Sequence, residues 1–239
     1  AALRTGAGLV TLATPQELNP IFEVKLTEVM TRPLGKKGAH VFTPDMLDDC
    51  LRLSEASDAV IMGPGIGQAK ATAEFVKGMA CGCTCPMVLD ADALNIIGQS
   101  GICLSVASVV TPHPGEMSRL LGLPVAEIER DRIGAARGCA ASLGATVILK
   151  GHRTVIASPD GSVAINPTGS NSMASGGMGD VLSGIVGTFL AQGLPPFTAA
   201  ALSAYLHGLA SDRVGVSKAR GQIASDLLEE IPRILKENA

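Results

Sequence analysis

Aromatic side chains are scarce in this sequence of 239 residues, which has no tryptophan, one tyrosine and five phenylalanines. Proteins that bind single-stranded nucleic acid stack its bases on aromatic rings, so this scarcity argues against such a platform. Basic charge is also lacking, because 22 acidic residues outweigh 19 lysines and arginines and leave a net charge of −3. The sequence therefore offers no positive field for a nucleic acid or an anionic membrane surface.

Long apolar runs are missing too, since no stretch approaches the roughly 20 apolar residues that span a bilayer. The opening AALRTGAGLV lacks the charged start and long apolar run of a secretory signal peptide. Six cysteines do not make a disulfide framework in a chain of this length, so a reducing cytoplasm is the expected location. The cluster CGCTC at 81–85 could hold a soft metal, but free thiols near a strand start are favoured because no second cluster completes the ligands.

What the sequence does contain is apolar: 46% of its residues are hydrophobic and 17% charged, enough to bury a sizeable core. Apolar runs rich in β-formers alternate with amphipathic helical stretches, and the runs cover 9–13, 58–63, 86–91, 107–112 and 146–151. These runs are apolar on both faces, which is typical of parallel strands covered by helices. Residues 153–166 predict a β-hairpin around Pro159-Asp160-Gly161. With no linker or repeat, we predict one α/β domain over residues 1–239.

Loops that carry glycine, histidine or aspartate follow four of the predicted strands. They are GPGIG (63–67), DADAL (90–94), TPHPGE (111–116) and KGHRT (150–154). Singly each signal is weak, because a Gly-Pro-Gly segment is more often only a tight turn. Since ligands of open α/β sheets bind at the carboxyl ends of the strands, the four loops together predict a site at that edge.

The segment SMASGGMGD (172–180) places three glycines before Asp180, and a long apolar helix begins at or near this aspartate. A helix start attracts phosphate through unpaired N–H groups and the positive end of the dipole, and glycines let a backbone approach an anion. Asp180 is then either an N-cap or a general base that takes a proton from a substrate hydroxyl facing a transferable phosphate. The glycines favour the base, because a plain cap does not require them.

Several motifs in order carry a family resemblance. The late GGMGD resembles the anion hole and catalytic aspartate of the ribokinase-like superfamily. Together with VLDADALN (88–95), TPHPGEMSRLLG (111–122) and GGMGDVLSG (176–184), the chain resembles the ADP/ATP-dependent NAD(P)H-hydrate dehydratases over nearly its whole length. The resemblance implies a ribokinase-like three-layer α/β/α fold with a mostly parallel central sheet and a late β-hairpin.

The resemblance also implies an activity. Family members phosphorylate the C6 hydroxyl of hydrated NADH or NADPH with ADP or ATP and Mg²⁺, and phosphate is then eliminated. This chain is expected to act as a lyase on the S epimer, converting ADP to AMP, as a cytoplasmic homo-oligomer for which a tetramer is one form. The alternatives are a ribokinase-like kinase for a vitamin-precursor alcohol and a non-catalytic nucleotide-binding protein.

Roles for individual residues follow from the same resemblance. Asp180 matches the catalytic aspartate that also contacts the hydrate, and Gly177 and Gly179 match the anion hole. Positions matching ADP or AMP contacts are Lys150, Gly151, His152, Arg153, Thr154 and Gly179. Gly65, Gly67 and His113 match contacts to the hydrated cofactor, and Asn95 and Glu116 match positions near the phosphates and Mg²⁺.

Two departures from the family pattern bear on substrate binding. Family chains usually begin with another strand and a Gly-Gly-Ser-like loop ahead of AALRTGAGLV, and both are absent here, so we expect an incomplete hydrate site or a fragment. Residues 170–172 read SNS where bacterial members often read NPG, which should change loop rigidity more than chemistry. Asp90 and Asp92 could ligate a metal, Asp92 could equally cap a helix, and His207 is interpreted as a packing or interface residue.

Overall fold

The structure is a computed structural model that describes residues 1–98, 100–102, 104, 108–217 and 221–237. The strands in these residues are β1 (Thr11–Pro15), β2 (Met30–Leu34), β3 (Val60–Met62), β4 (Met87–Leu89), β5 (Ser108–Val110), β6 (Thr146–Leu149), β7 (Val155–Ala157) and β8 (Val163–Ile165). Strands β3 to β6 pair in parallel and in chain order, and β7 and β8 extend this central sheet antiparallel. Strands β1 and β2 pair in parallel as a separate small sheet.

Helices connect the strands and cover the central sheet. They are α1 (Ala2–Thr5), α2 (Asn19–Lys25), α3 (Leu47–Glu55), α4 (Lys70–Gly82), α5 (Ala91–Gly98), α6 (Pro114–Leu121), α7 (Val125–Arg130), α8 (Arg132–Leu143), α9 (Met178–Ala191), α10 (Pro196–Ser217) and α11 (Ala224–Glu237). Among the described residues, no helix is both long and apolar enough to cross a membrane.

Alternate residues of the central strands belong to two separate cores. Val88 belongs to the core of α9, α10 and α11 with Ile185, whereas its neighbours Met87 and Leu89 belong to the opposite core with Phe75. Successive side chains of a strand point to opposite faces, so this alternation means that both faces of the sheet are buried. The molecule therefore has three layers, with a mostly parallel sheet between two layers of helices.

The predicted order of strands and helices is confirmed for most of the chain. The run at 107–112 appears as β5, although Ala107 lies outside the described residues. The hairpin at 153–166 is confirmed, because β7 and β8 pair antiparallel around the predicted turn. Strand β2 was not predicted, since MTRPL contains an arginine and a proline and has no apolar alternation. That the whole chain forms one domain stays a prediction.

Candidate active site

The first turn of α9 forms an open helix N-terminus. Gly177 precedes the helix with φ 84°, a left-handed conformation that glycine adopts without the steric cost of a side chain. The first N–H groups of a helix have no partner within it, so they are available to an anion. Asp180 is the third residue of α9, because the helix begins at Met178 and Gly177 is its cap. The interpretation of Asp180 as an N-cap is therefore wrong.

The Asp180 carboxylate is exposed, and no hydrogen bond to it is found among the described residues. Its pKa is raised above the usual value for an aspartate, first by partial burial and then by the nearby Asp90 carboxylate, while the Lys150 ammonium acts in the opposite sense. A carboxylate with higher proton affinity is a better general base, and such shifts are common at catalytic positions.

Beside Asp180 lies a buried ion pair. Asp90, which follows β4, is 1% exposed and accepts hydrogen bonds from Lys150 Nζ at 2.8 Å and Ser183 Oγ at 2.9 Å. Burial alone would raise the pKa of Asp90, but the Lys150 ammonium and these hydrogen bonds hold it below its usual value. Asp90 therefore stays ionised and holds Lys150 at the ends of β4 and β6, next to the first turn of α9.

His113 and Glu116 close the start of α6 with a reciprocal cap. The Glu116 Oε2 atom accepts a hydrogen bond from the His113 backbone N–H at 2.8 Å, and His113 Nδ1 accepts one from the Gly115 N–H at 3.0 Å. A neutral imidazole whose Nδ1 is an acceptor carries its proton on Nε2. The Glu116 Oε2 atom also lies 3.7 Å from Lys150 Nζ. His113 thus presents a half-exposed ring beside the ion pair.

Arg132 hydrogen-bonds to the backbone at the start of the segment 150–154. The guanidinium Nη2 donates to the carbonyls of Leu149 at 3.0 Å and of Lys150 at 3.1 Å. Gly151 has φ 142°, where other residues are strained, and a Cβ there would lie 2.8 Å from this Nη2 atom and would displace the guanidinium. Thr154 Oγ1 donates to the Gly151 carbonyl at 3.0 Å, which closes the segment into a turn.

A cavity of about 520 Å³ opens beside these groups. Its lining includes the predicted residues His113, Lys150, Gly151, His152, Arg153, Thr154 and Gly179. Further lining comes from the segment between β8 and α9, from α9 and from α10, namely Asn166, Thr168, Gly169, Ser170, Asn171, Met173, Ala174, Ser175, Gly176, Met178, Leu182, Ala204, His207 and Gly208. A cavity of this volume suits a small-molecule ligand.

The other predicted residues are not among those that line this cavity, namely Gly65, Gly67, Asn95, Glu116, Gly177 and Asp180. Gly65 and Gly67 follow β3, and the Gly67 N–H donates to Asp92 Oδ2 at 2.9 Å, so Asp92 braces that loop. The Asn95 side-chain oxygen accepts from Arg119 Nε at 2.6 Å. The described residues contain no group of three or more histidine, cysteine, aspartate or glutamate side chains that could hold a metal.

Some features of the site escaped the sequence reasoning. DADAL marked Asp90 as a candidate, but its pairing with Lys150 joins residues 60 positions apart and left no local signal. Ser183 follows Asp180 by three positions, and on a helix such residues share a face, which is a signal that could have been used. Nothing in the sequence indicated the contact made by Arg132, because it is one of several charged residues in a helical stretch.

Comparison with solved structures identifies the fold. A crystal structure of the ADP/ATP-dependent NAD(P)H-hydrate dehydratase from Bacillus subtilis, co-crystallised with ATP and Mg²⁺ and soaked with CoA, matches with a TM-score of 0.81 at 29% identity. The match covers 100% of this chain and 84% of that one. The chain has the ribokinase-like fold, as predicted.

Sequence comparison gives the family. The bifunctional NAD(P)H-hydrate repair enzyme Nnr of Moorella thermoacetica is 45% identical over 99% of this chain and 45% of its own length. The chain thus spans about half the length of such relatives. The ADP-dependent (S)-NAD(P)H-hydrate dehydratase of Neisseria meningitidis is 43% identical over 78% of this chain and 65% of its own. The family model described as NAD(P)H-hydrate dehydratase matches residues 1–233, and the chain therefore belongs to this family.

Proposed function

We propose that this chain dehydrates the S epimer of hydrated NADH or NADPH in a reaction that consumes a nucleoside diphosphate, ADP being converted to AMP. The observation that carries the proposal is the exposed Asp180 carboxylate in the first turn of α9, beside open backbone N–H groups and the Asp90–Lys150 pair. The names of the Neisseria and Bacillus relatives support the same activity and the use of ADP or ATP.

The nucleotide is assigned to the cavity, with its base and sugar against residues 150–154 and its phosphates at Gly177 and Gly179. Open N–H groups at a helix N-terminus favour anions, and Lys150 adds a positive charge beside them. The hydrated cofactor is assigned to the loop after β3, with Gly65 and Gly67, and to His113 after β5. Asp180 then lies between the two substrates, which a phosphoryl transfer requires.

In this arrangement Asp180 takes the proton from the C6 hydroxyl as that oxygen attacks the terminal phosphorus of ADP, and AMP leaves. The phosphorylated C6–O bond then breaks with its electron pair on phosphate, driven by the ring nitrogen N1. Loss of a proton from C5 restores the dihydronicotinamide. The residues of the site do little covalent chemistry; they orient the hydroxyl, remove one proton and stabilise the transferring charge.

The donor set fits Mg²⁺, which prefers oxygen ligands and keeps several waters and phosphate oxygens. Among the described groups, Glu116 offers a carboxylate beside Lys150, although its Oε2 atom also accepts from the His113 N–H, and the Asn95 oxygen accepts from Arg119. When bound, Mg²⁺ would screen the phosphate charges. We therefore expect Glu116 to support the ion, directly or through water, and Asn95 to act indirectly by orienting Arg119.

The test is a recovery assay. The protein is incubated with Mg²⁺, hydrated NADH or NADPH, and either ADP or ATP, and absorbance in the reduced-nicotinamide band is followed. Recovery with nucleotide, and none with Asp180→Asn, is the expected result. A stable phosphoester instead of NAD(P)H would indicate the vitamin-precursor type of kinase, which no observation here favours. No turnover with either nucleotide would contradict the proposal.

A cytoplasmic location and a homo-oligomer, with a tetramer as one form, belong to the same proposal. Reduced nicotinamide cofactors and ADP are the substrates it requires, and both are abundant in cytoplasm. Leu202 and Tyr205 expose apolar surface on α10, which supports association between copies. Sedimentation equilibrium measures the oligomeric state directly.

A further inference from the structure

Residues 169–177, here called the approach segment, lead into the first turn of α9. Ser175 and Gly176 of this segment are exposed and line the cavity, and Gly177 follows them as the cap of the helix. An exposed stretch of glycine and serine is costly to order, because each of its residues has many accessible backbone states. The place of the open N–H groups of α9 therefore depends on the contacts that hold the approach segment.

A buried hydrogen-bonded pair lies behind the approach segment. Ser211 of α10 is 0% exposed, and Gln222, just before α11, is 3% exposed. The Ser211 hydroxyl donates to Gln222 Oε1 at 2.9 Å, and Gln222 Nε2 donates to the Ser211 carbonyl at 3.2 Å. Because a carbonyl only accepts, this reciprocal pair fixes the orientation of the Gln222 amide.

Both members of the pair also contact the approach segment. Ser172 Oγ lies 3.5 Å from Ser211 Oγ, and Ser172 is the donor, because the one hydroxyl hydrogen of Ser211 is directed to Gln222. Ser175 Oγ donates to the Gln222 carbonyl at 3.2 Å. The pair thus reaches the segment at two positions, and the second lies two residues before the cap of α9.

Two further contacts hold the ends of the same segment. At its start, the Gly169 N–H donates to Asp212 Oδ2 of α10 at 2.9 Å. At its end, a Cβ on Gly177 would lie 3.1 Å from the Cβ of Ala224, two residues beyond Gln222. The approach segment is therefore attached along its length to α10 and to residues 222–224.

We propose that Gln222 is a positioning residue which, with Ser211, orders the approach segment before the nucleotide binds. The inference rests on the proposed function, in which the phosphates of ADP lie at Gly177 and Gly179. Gln222 is not among the residues that line the cavity, so it acts through the segment and not on the nucleotide. A segment that is ordered in advance loses little entropy on binding, so breaking the pair weakens the binding of the phosphates.

Two variants break the pair from different elements. Ser211→Ala removes the hydroxyl, and Gln222→Met keeps the length of the side chain without its hydrogen bonds. Ser203→Ala is the matched control, because Ser203 is an equally buried serine of α10 whose hydroxyl donates within its own helix, to the Ala199 carbonyl. Dissociation constants for ADP and for adenosine, which has no phosphate, are measured by calorimetry below the unfolding temperature of every variant.

ADP should bind about tenfold more weakly to Ser211→Ala and to Gln222→Met, the effect of one hydrogen bond, while adenosine binding is unchanged. The control should bind both ligands as the parent protein does. A general loss of structure would weaken both ligands, so equal losses, or no loss, would overturn the positioning role. The double variant should bind ADP no more weakly than either single variant, because the two groups act as one unit, and additive losses would overturn the pairing.

Hydrogen exchange tests the order of the approach segment without any ligand. The N–H groups of Met173, Ala174 and Ser175 donate to carbonyls inside the segment, so they should be protected in the parent protein. They should exchange about tenfold faster in both variants and at the parent rate in the control. Unprotected N–H groups in the parent protein, or equal rates in all the proteins, would overturn the proposal.

The outcomes separate this inference from the proposed function. A loss of affinity specific to ADP, without recovery of NAD(P)H by the parent protein, would contradict the dehydratase activity and leave the positioning role supported. Recovery of NAD(P)H with the same ADP affinity in all the variants would overturn the positioning role alone. Absence of binding by both ADP and ATP in the parent protein would overturn both.

Discussion

The Lys150 ammonium donates a hydrogen bond of 2.8 Å to the buried carboxylate of Asp90, across the ends of two strands that are not neighbours in the sheet. The two members of the pair act on the pKa of Asp180 in opposite directions, in addition to the effect of partial burial. The Asp90 carboxylate raises the pKa of Asp180, and the Lys150 ammonium lowers it. The same lysine is expected to face the nucleotide, so the pair links the fold of the sheet edge to the proposed chemistry.

Asp90→Asn should destabilise the protein, because it removes the charge that compensates Lys150. Breaking a fully buried pair costs about 3–5 kcal/mol, and we expect roughly 1–3 kcal/mol here, since Lys150 keeps some exposure and Glu116 lies nearby. Urea unfolding measures the change. The control Asp49→Asn breaks the exposed pair with Arg52 and should cost less than about 1 kcal/mol. Equal losses of stability in the two variants would show that the buried Asp90–Lys150 pair stabilises the fold no more than an exposed pair does.

Asp180→Asn should reduce turnover by about 10²–10⁴-fold, the usual contribution of a general base, while nucleotide affinity is retained. Its stability should change by less than about 0.5 kcal/mol, because the carboxylate is exposed and makes no hydrogen bond among the described residues. Asp131→Ala gives the opposite pattern. Asp131 caps α8 through the Gly134 N–H, so its loss should cost about 1 kcal/mol without a change in turnover. Full activity of Asp180→Asn would remove Asp180 from the mechanism.

Gly177→Ala should cost about 1–2 kcal/mol of stability and weaken nucleotide binding, because an alanine at φ 84° is strained in the residue that positions the helix start. Gly176→Ala is the matched control, since a Cβ there meets no atom within 4 Å and its φ is not in the left-handed region. It should change stability by less than about 0.5 kcal/mol. Thermal unfolding with and without ADP measures both effects. Equal behaviour of the two alanine variants would mean that the left-handed turn does not matter.

His207 should make the stability of the fold depend on pH. Its pKa is about 4 in the folded protein against 6.5 for an ordinary histidine, so the unfolded chain binds the proton more readily. The contribution of neutral His207 to the free energy of unfolding is fully present above pH 6.5. It is lost as the pH falls from 6.5 towards 4, by about 3 kcal/mol in total. Urea unfolding at several pH values should show this loss in the parent protein and not in His207→Gln. Carboxyl groups titrate in both proteins and cancel in the difference, so identical pH profiles would contradict the prediction.

Much of the fold was predictable because its signals are local or periodic. Val88 and Ile148 face one core while Met87 and Leu149 face the other, so the central strands read as apolar on both faces. The hairpin turn at Asp160 and Gly161 and the glycines before α9 were also local signals. Strand β2 was not predicted, because Arg32 and Pro33 interrupt the apolar pattern of a strand. Its formation depends on pairing with β1, which its own sequence does not indicate.

The candidate site divides in the same way. The position of Asp180 near a helix start came from the sequence, but the backbone angle of Gly177 decided that this glycine and not Asp180 is the cap of α9. From the sequence, His207 was interpreted as a packing or interface residue, because a histidine in an apolar helix does not indicate which cavity it lines.

The sequence by itself determined the α/β class, the edge of the sheet where loops with reactive side chains meet, and the glycine-rich approach to Asp180. These depend on spacing along the chain and on backbone preferences of single residues. Only the tertiary structure decided that Lys150 binds Asp90, that Arg132 supports the segment 150–154, and that His207 lines the cavity. Those contacts join residues distant in the chain, and the order and register of the strands, not local propensity, bring them together.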